Sequence, residues 1–352
     1  MEENRSILDL TENEIREALN GLGQPAYRTL QVWEGLYKNL WSQSEEFTSL
    51  PSLLREKLEV TYHFRPLALN RRLISKDGQT NKVLFDLVDG HSIEAVLMNY
   101  ENRRTVCISS QVGCAMNCSF CATGQMGFKR NLAVGEIIAQ VLFFAQELKQ
   151  QGKALSNVVV MGMGEPFQNY EMVLNAIDRL NDPRGFNFGA RRFTISTVGL
   201  PDQIRHFADE KRQVNLAVSL HASDNTLRDQ LVPINKKYPL EAVLDACRYY
   251  FDQTSRRLTF EWALISGIND SPDQASQLAK LTRGLSCHVN IIPLNPTTRY
   301  PSQPSTHECA QSFKAILEQH GLPCTIRLRR GVEIQAGCGQ LASRERPQPI
   351  LI

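Results

Sequence analysis

The run "VCISSQVGCAMNCSFCATGQMGFKR", Val106 to Arg130, decides how the rest of the chain is read. It opens on a short apolar, β-branched stretch and then places Cys114, Cys118 and Cys121 as C-x3-C-x2-C within eight residues. A helical signal, "VGEIIAQVLFFAQELKQ" (134–150), follows. Thiols clustered this tightly in a chain without an export signal are more often ligands of a metal or cluster than unrelated packing residues. A strand before them and a helix after them put the triad on a β-to-α loop. In barrels of alternating strands and helices, that end carries the chemistry.

Working outward, the alternation continues toward the C-terminus. Strand signals fall at 157–162, 192–199, 214–222, 258–265, 288–295 and 324–330. Every gap is long enough for a good helix except that between 192–199 and 214–222. Repeated β-α units rich in β-branched residues predict a parallel sheet with helical crossovers. Six units after the first strand predict an α/β fold, an open partial (βα)6 barrel. Toward the N-terminus the period shortens to two. The run 71–100 carries Asp-Gly turns at Asp77-Gly78 and Asp89-Gly90 between strand-like runs, a meander of hairpins. Before it the chain is helical. Thr11 and Glu14 fit a capping box, Leu30, Trp33, Leu36, Tyr37 and Leu40 recur at helical spacing, and a third helix follows Pro51. The expected organisation is a helical accessory unit (1–66), a meander packed on the core (67–99), the barrel (100–335), and a cysteine loop with a tail (336–352).

Composition adds limits. The 352 residues are 42% hydrophobic and 22% charged with net charge +2, ordinary values for a soluble protein that permit an RNA partner without requiring one. The N-terminus lacks a signal-peptide pattern and no run is long enough to span a membrane, so the expectation is a cytoplasmic, non-membrane, monomeric protein.

For the triad, zinc is the rival reading. Structural zinc sites pair two C-x2-C-like units or add nearby histidines, but no second pair exists here and His288 and His320 stand far off. A cubane iron–sulfur cluster accepts three close thiolates and leaves one iron for a small molecule to chelate. "VVVMGMGEP" (158–166) ends the next strand with two glycines that let backbone approach a ligand, and with Glu165, which can accept from an ammonium group.

This combination resembles the radical S-adenosylmethionine (SAM) superfamily. The ordered series "CISSQVGC", "MGMGEP", "RRFTISTVG", "AVSLHA", "VPINKKYP", "HVNIIPLNP" and "AGCGQLA" is similar to the RlmN/Cfr family of RNA adenine methyltransferases. The wording is nearer the branch that methylates C2 of adenine than the one that methylates C8. The resemblance implies a [4Fe-4S] cluster on Cys114, Cys118 and Cys121. It implies SAM contacts from Gly164, Glu165, Ser196, Ser219, Leu220, His221 and Asn295. Cys338 in "AGCGQL" is implied as the methyl carrier, and Cys107 as a second catalytic thiol that helps remove the C2 proton and closes a transient disulfide with Cys338. Read from the residues alone, Cys107 is an ordinary core cysteine and His221 a satisfied structural histidine. Cys338 lies between Gly337 and Gly339, which suits a flexible loop. Cys247, Cys287, Cys309 and Cys324 read as packing residues.

Strand alternation puts Glu94 on a face with Val96 and Met98, where apolar surroundings would raise its pKa, and the residues alone equally allow an ordinary solvated edge residue; the resemblance makes it a proton acceptor. The implied substrates are an adenosine in the peptidyl-transferase centre of 23S rRNA and one in tRNA beside the anticodon, with a flavodoxin- or ferredoxin-type electron donor. Basic pairs at 103–104, 129–130, 191–192, 236–237 and 256–257 are candidate phosphate contacts, as are Arg327, Arg329, Arg330, Arg344 and Arg346 around Cys338. From another class, the rival is a zinc-stabilised RNA-binding protein without catalysis.

Overall fold

The computed structural model describes residues 5–342. Arg344 and Arg346, with Glu345, lie outside them. The helical unit begins with α1 (Glu12–Gly21), capped by the expected box: Thr11 Oγ1 accepts from Glu14 N and Thr11 N donates to Glu14 Oε2. The next signal does not form one straight helix. α2 (Tyr27–Glu34) passes into a π-turn at Gly35–Asn39, because the Phe47 ring presses where a Cβ on residue 35 would sit, 2.3 Å away. The turn rotates the apolar face. Trp33, Leu36, Tyr37 and Leu40 are buried, while Leu30, expected on that face, is 44% exposed. α3 (Ser52–Thr61) follows Pro51. The unit docks on the barrel through Asp9 Oδ1, which accepts from Gly135 N, and through Arg179, which donates to Leu8 O and Asp9 O.

The meander is β1 (Leu67–Ile74), β2 (Thr80–Leu87) and β3 (Ser92–Asn99), all antiparallel. It is hydrogen-bonded into the main sheet edge-on rather than packed over it, since β3 pairs antiparallel with β4 (Arg104–Cys107). Next, β5 (Gln111–Gly113) and β6 (Phe128–Asn131) form a small hairpin around the one-turn α4 (Ala122–Gln125). Then come α5 (Val134–Gln150), β7 (Asn157–Val160), α6 (Tyr170–Asn181), β8 (Phe193–Thr197), α7 (Pro201–Asp209), β9 (Asn215–Ser219) and α8 (Asn225–Leu231). The series closes with α9 (Leu240–Thr254), β10 (Leu258–Leu264), α10 (Pro272–Leu281), β11 (Cys287–Pro293), α11 (His307–Gln319) and β12 (Cys324–Ile326).

The ten-stranded sheet runs β1-β2-β3-β4-β7-β8-β9-β10-β11-β12. It is parallel from β4 onward and open, because its first and last strands do not pair. This is the predicted partial barrel, with one correction. The short gap after 192–199 does hold a helix: α7 starts at Pro201, two residues after Gly199 turns the chain at φ 100°, and proline at the first helical positions sacrifices no bonded N–H. Val158 and Val160 of β7 and Phe193 and Ile195 of β8 face outward, buried under helices. The alternate residues Val159, Thr194 and Ser196 are only partly covered and line the inner hollow.

Candidate active site

Strand register assembles the site. Cys107 on β4 pairs with Val96 on β3 and Val159 on β7; Val159 pairs with Thr194, and Val96 with Lys82 on β2. Directly paired residues share a face, so Lys82, Cys107 and Thr194 line the hollow, as do Glu94 and Ser196 two residues along their strands. A second row joins Ser219, Glu261, Asn290 and Thr325 across β9 to β12. The inner face is thus a polar stripe inside an apolar sheet.

Cys114, Cys118 and Cys121 sit in the loop framed by β5 and β6. Gly113 is obligatory there: its φ is +74°, and a Cβ would lie 1.8 Å from Gly127 O. Cys114 N bonds Gly127 O and Cys121 N bonds Cys118 O, so the hairpin holds the loop shape. Burial pushes the Cys114 thiol up to about 12 and Cys118 well above its ordinary value, and negative charge on Cys121 adds to both. Thiols raised in this way, as Cys114 and Cys118 are, become thiolates side by side only against concentrated positive charge. Among the described residues no three His, Cys, Asp or Glu side chains gather around a point that would hold a single metal ion. Three cysteine sulfurs on one short loop are donors that suit an iron–sulfur cluster with one iron left without a protein ligand.

Cys338 comes from the other end of the chain, in the loop 331–342. Ala122 N donates to Gly339 O and Thr123 Oγ1 to Leu341 O, tying this loop to the turn after Cys121. The Cys338 residue is exposed, burial raises its thiol, and its carbonyl accepts from Asn295 Nδ2 at 3.3 Å, just beyond the end of β11. Burial pushes Cys107 up to about 12, and Cys338 is the next largest cause. Arg327 opposes the rise at both thiols. Arg327 Nη2 lies 3.7 Å from Glu261 Oε1, which also accepts from Asn290 Nδ2. The bonds from Ala122 and Thr123 to the 331–342 loop, and from Asn295 to Cys338 O, therefore bring Cys338 and the three-cysteine loop to the hollow that Cys107 lines, with Arg327 beside Glu261. All nine cysteines are free. Of the four read as packing residues, Cys247, Cys287 and Cys324 are buried, whereas Cys309 is half-buried and its thiol donates to Asp270.

The remaining predicted residues ring the same mouth in different ways. Glu165 is buried, with Oε1 accepting from Phe167 N and Oε2 from Val198 N; burial lifts its carboxyl to about 7. Gly162 and Gly164 are needed for close approach, but to protein. A Cβ at 164 would meet Gln111 and Ser110 at 2.6 and 2.7 Å, and one at 162 would meet Ile108 backbone. Leu220 is fully buried. His221 holds φ +63°, and its Nδ1 accepts from Ala263 N. Burial first, then Arg228, pull it down to about 3, so the ring is a neutral structural acceptor. Asn295 donates to Cys338 O at 3.3 Å and accepts from Arg329 Nε.

Glu94 departs from expectation. Its face is not apolar, because Lys82 Nζ pairs with Glu94 Oε1 at 2.9 Å and both side chains are more than nine-tenths buried. A full positive charge thus interrupts the surroundings from which a raised pKa was inferred. Many of the basic residues are also committed internally. Arg130 bridges Asp89 and Glu136, Arg256 holds Gln213 and Asn215, Arg192 lies over Phe188, and Arg330 lies over Tyr100.

Arg228, Glu261 and Lys82 escape sequence reasoning. Arg228 is completely buried on α8 and donates to Val198 O, Ser219 O and Leu220 O, fixing the ends of β8 and β9. Burial lowers it to about 10, which leaves it cationic at neutral pH. An arginine on a short polar helix reads as solvated surface, so nothing local marks it. Glu261, between Phe260 and Trp262, was findable as a lone carboxylate in an apolar strand.

Residues 108–279 match the family model of the Radical SAM superfamily, whose members hold a [4Fe-4S] cluster and SAM. A probable dual-specificity RNA methyltransferase RlmN of Chloroflexus aurantiacus is 47% identical over 353 residues, covering 97% of this chain and 94% of its own. The dual-specificity RNA methyltransferase RlmN 1 of Myxococcus xanthus is 47% identical, with coverage of 96% and 94%. A crystal structure of a radical SAM methyltransferase from Sphaerobacter thermophilus superposes with TM-score 0.95 at 48% identity, over 97% of this chain and all of that one. The chain belongs to the RlmN family of radical SAM RNA methyltransferases.

Proposed function

We propose that this enzyme methylates C2 of adenosine, in the peptidyl-transferase centre of 23S rRNA and in tRNA next to the anticodon, with Cys338 as methyl carrier. The observation that carries the reading is the meeting, in one hollow, of Cys107 at the end of β4 with Cys338 from the C-terminal loop, beside the three-cysteine loop. Carbon 2 of adenine is electrophilic, so it cannot simply attack a SAM methyl. A methyl held on sulfur and then made reactive can be added to it. When bound, the cluster and SAM supply a methyl group and a hydrogen-abstracting deoxyadenosyl radical. Cys338 takes the methyl and presents it to the base. Arg327 partly offsets the rise that burial imposes on both sulfurs. Glu94 accepts the C2 proton. The adduct also sheds one electron, for which the bound cluster would be the acceptor. Cys107, as thiolate, then attacks the Cys338 sulfur, and the Cys338 S–CH2 bond breaks. The methylene carbon takes a proton, and the methylated base leaves a Cys107–Cys338 disulfide for the electron donor to reduce.

SAM would lie along Gly164, Glu165, Ser196, Ser219, Leu220, His221 and Asn295. Leu220 and His221 would act through their backbone, since one side chain is buried and the other engaged. The target base must leave its stack to reach the hollow. The helical unit, with Tyr27, Leu53 and Val60 exposed, is the accessory RNA surface. The reading also places the enzyme in the cytoplasm as a monomer served by a flavodoxin- or ferredoxin-type donor. Among the described residues no helix is long and apolar enough to cross a membrane.

Mass spectrometry of nucleosides from rRNA and tRNA of cells lacking the protein, with and without complementation, tests this. Loss of 2-methyladenosine from both RNAs is expected. Loss of 8-methyladenosine would instead assign the C8 reaction, and loss from rRNA alone would remove tRNA as a substrate.

A further inference from the structure

The carrier loop is held at its two ends by one buried ion pair. Lys82 Nζ donates to Gln335 O at 3.1 Å, at the leading end. Glu94 Oε2 accepts from Ala342 N at 2.9 Å, at the trailing end. Lys82 and Glu94 are diagonal neighbours on adjacent strands and bind each other at 2.9 Å. Six residues, 336–341, lie between the two anchored positions, and Cys338 is among them.

Backbone geometry points the same way. Gln335 has φ +54°, a left-handed conformation that a non-glycine residue holds only when its surroundings enforce it. Its carbonyl is the atom Lys82 grips. The β1–β2 hairpin braces the approach, since Lys76 N donates to Glu333 Oε1. Between the anchors the contacts are neutral hydrogen bonds with no buried charge: Ala122 N to Gly339 O, Thr123 Oγ1 to Leu341 O, Gln340 Nε2 to Pro296 O, and one 3.3 Å bond from Asn295 Nδ2 to Cys338 O. Gly337 and Gly339 let that central part change shape.

We propose that Lys82 is a positioning residue that fixes the leading end of the Cys338 loop, while its partner Glu94 fixes the trailing end, so that the thiol moves between stations on anchored feet. The inference rests on Cys338 being the carrier.

Hydrogen exchange of the cluster-loaded protein without RNA tests the anchoring apart from the reaction. In Lys82→Met, amides within 335–342 should exchange about tenfold faster, with β10 unchanged. Lys82→Arg should restore most of the protection. Because Lys82→Met strands a buried carboxylate, the double variant Lys82→Met/Glu94→Gln, which leaves no net buried charge, should show the same local loosening. Protection in 335–342 that is unchanged in both, or lost equally across the barrel, overturns the proposal. In turnover, Lys82→Met should raise the ratio of deoxyadenosine formed to RNA methylated about tenfold, whereas general damage would lower both products together. An unchanged ratio also overturns it, while a failure of RNA methylation in the wild type would sink the functional reading and leave the exchange result standing.

Discussion

Two loops present sulfur to the same hollow and are built in opposite ways. The loop carrying Cys114, Cys118 and Cys121 is framed by a hairpin, and its ligands lie within one short stretch. The loop carrying Cys338 has no regular pairing of its own and is held by contacts from three distant places: the Lys82–Glu94 pair, the turn after Cys121 and Asn295. The difference teaches how the task divides. A cluster needs ligands that do not move, so local backbone bonds define the first loop. On the proposed reading the carrier must visit two stations, and the second loop is held mostly by side chains that can let go, with one backbone bond from Ala122 N to Gly339 O.

The largest break in this comparison should come from the rigid side. Cys118→Ala is expected to abolish turnover by about a thousandfold or more, as removing one member of a unit does. It should also purify without the iron and the absorbance near 400 nm; a variant with full iron content would separate the triad from the cluster. Next, Cys338→Ala should be as inactive but keep its iron and lack S-methylcysteine by peptide mass spectrometry. Retained turnover would make the second loop a bystander. Cys107→Ala should keep the cluster and accumulate a covalent protein–RNA adduct on denaturing gels, and normal product release would remove the resolving role. A smaller effect is expected at the support. Arg228→Met leaves three carbonyls without their donor and should cost about 3 kcal/mol or more in urea unfolding, on the scale of one to a few kcal/mol per stranded buried group. The smallest is Gly337→Ala, whose Cβ would meet the Asn295 amide at 2.5 to 2.9 Å. Displacing that side chain should cost about 1–3 kcal/mol locally, visible as faster exchange around Cys338 with the cluster intact.

Reading the chain from residues alone succeeded wherever the partners were near one another. The triad, the strand–helix alternation after Cys107 and the Thr11 capping box are all short-range patterns, and each appears where its spacing places it. The helix at Pro201–Asp209 was passed over because length was weighed and the proline start was not. Leu30 falls outside the buried face because α2 turns Thr29, Val32 and Trp33 inward, a choice among helix faces that its tertiary packing makes. Glu94 was read on an apolar face because alternation within one strand does not show what the next strand sets beside it.

The sequence by itself determined the parallel barrel and the position of the cluster loop, since periodicity and close ligand spacing are properties of contiguous residues. Only the tertiary structure decided that Lys82, Glu94, Cys107, Arg327 and Cys338 share one hollow. Lys82 and Gln335 are 253 positions apart, and Glu94 and Ala342 are 248 apart. Contacts over such separations follow from strand order and register, which set distant strands side by side in an open sheet and leave no trace in the spacing of the chain.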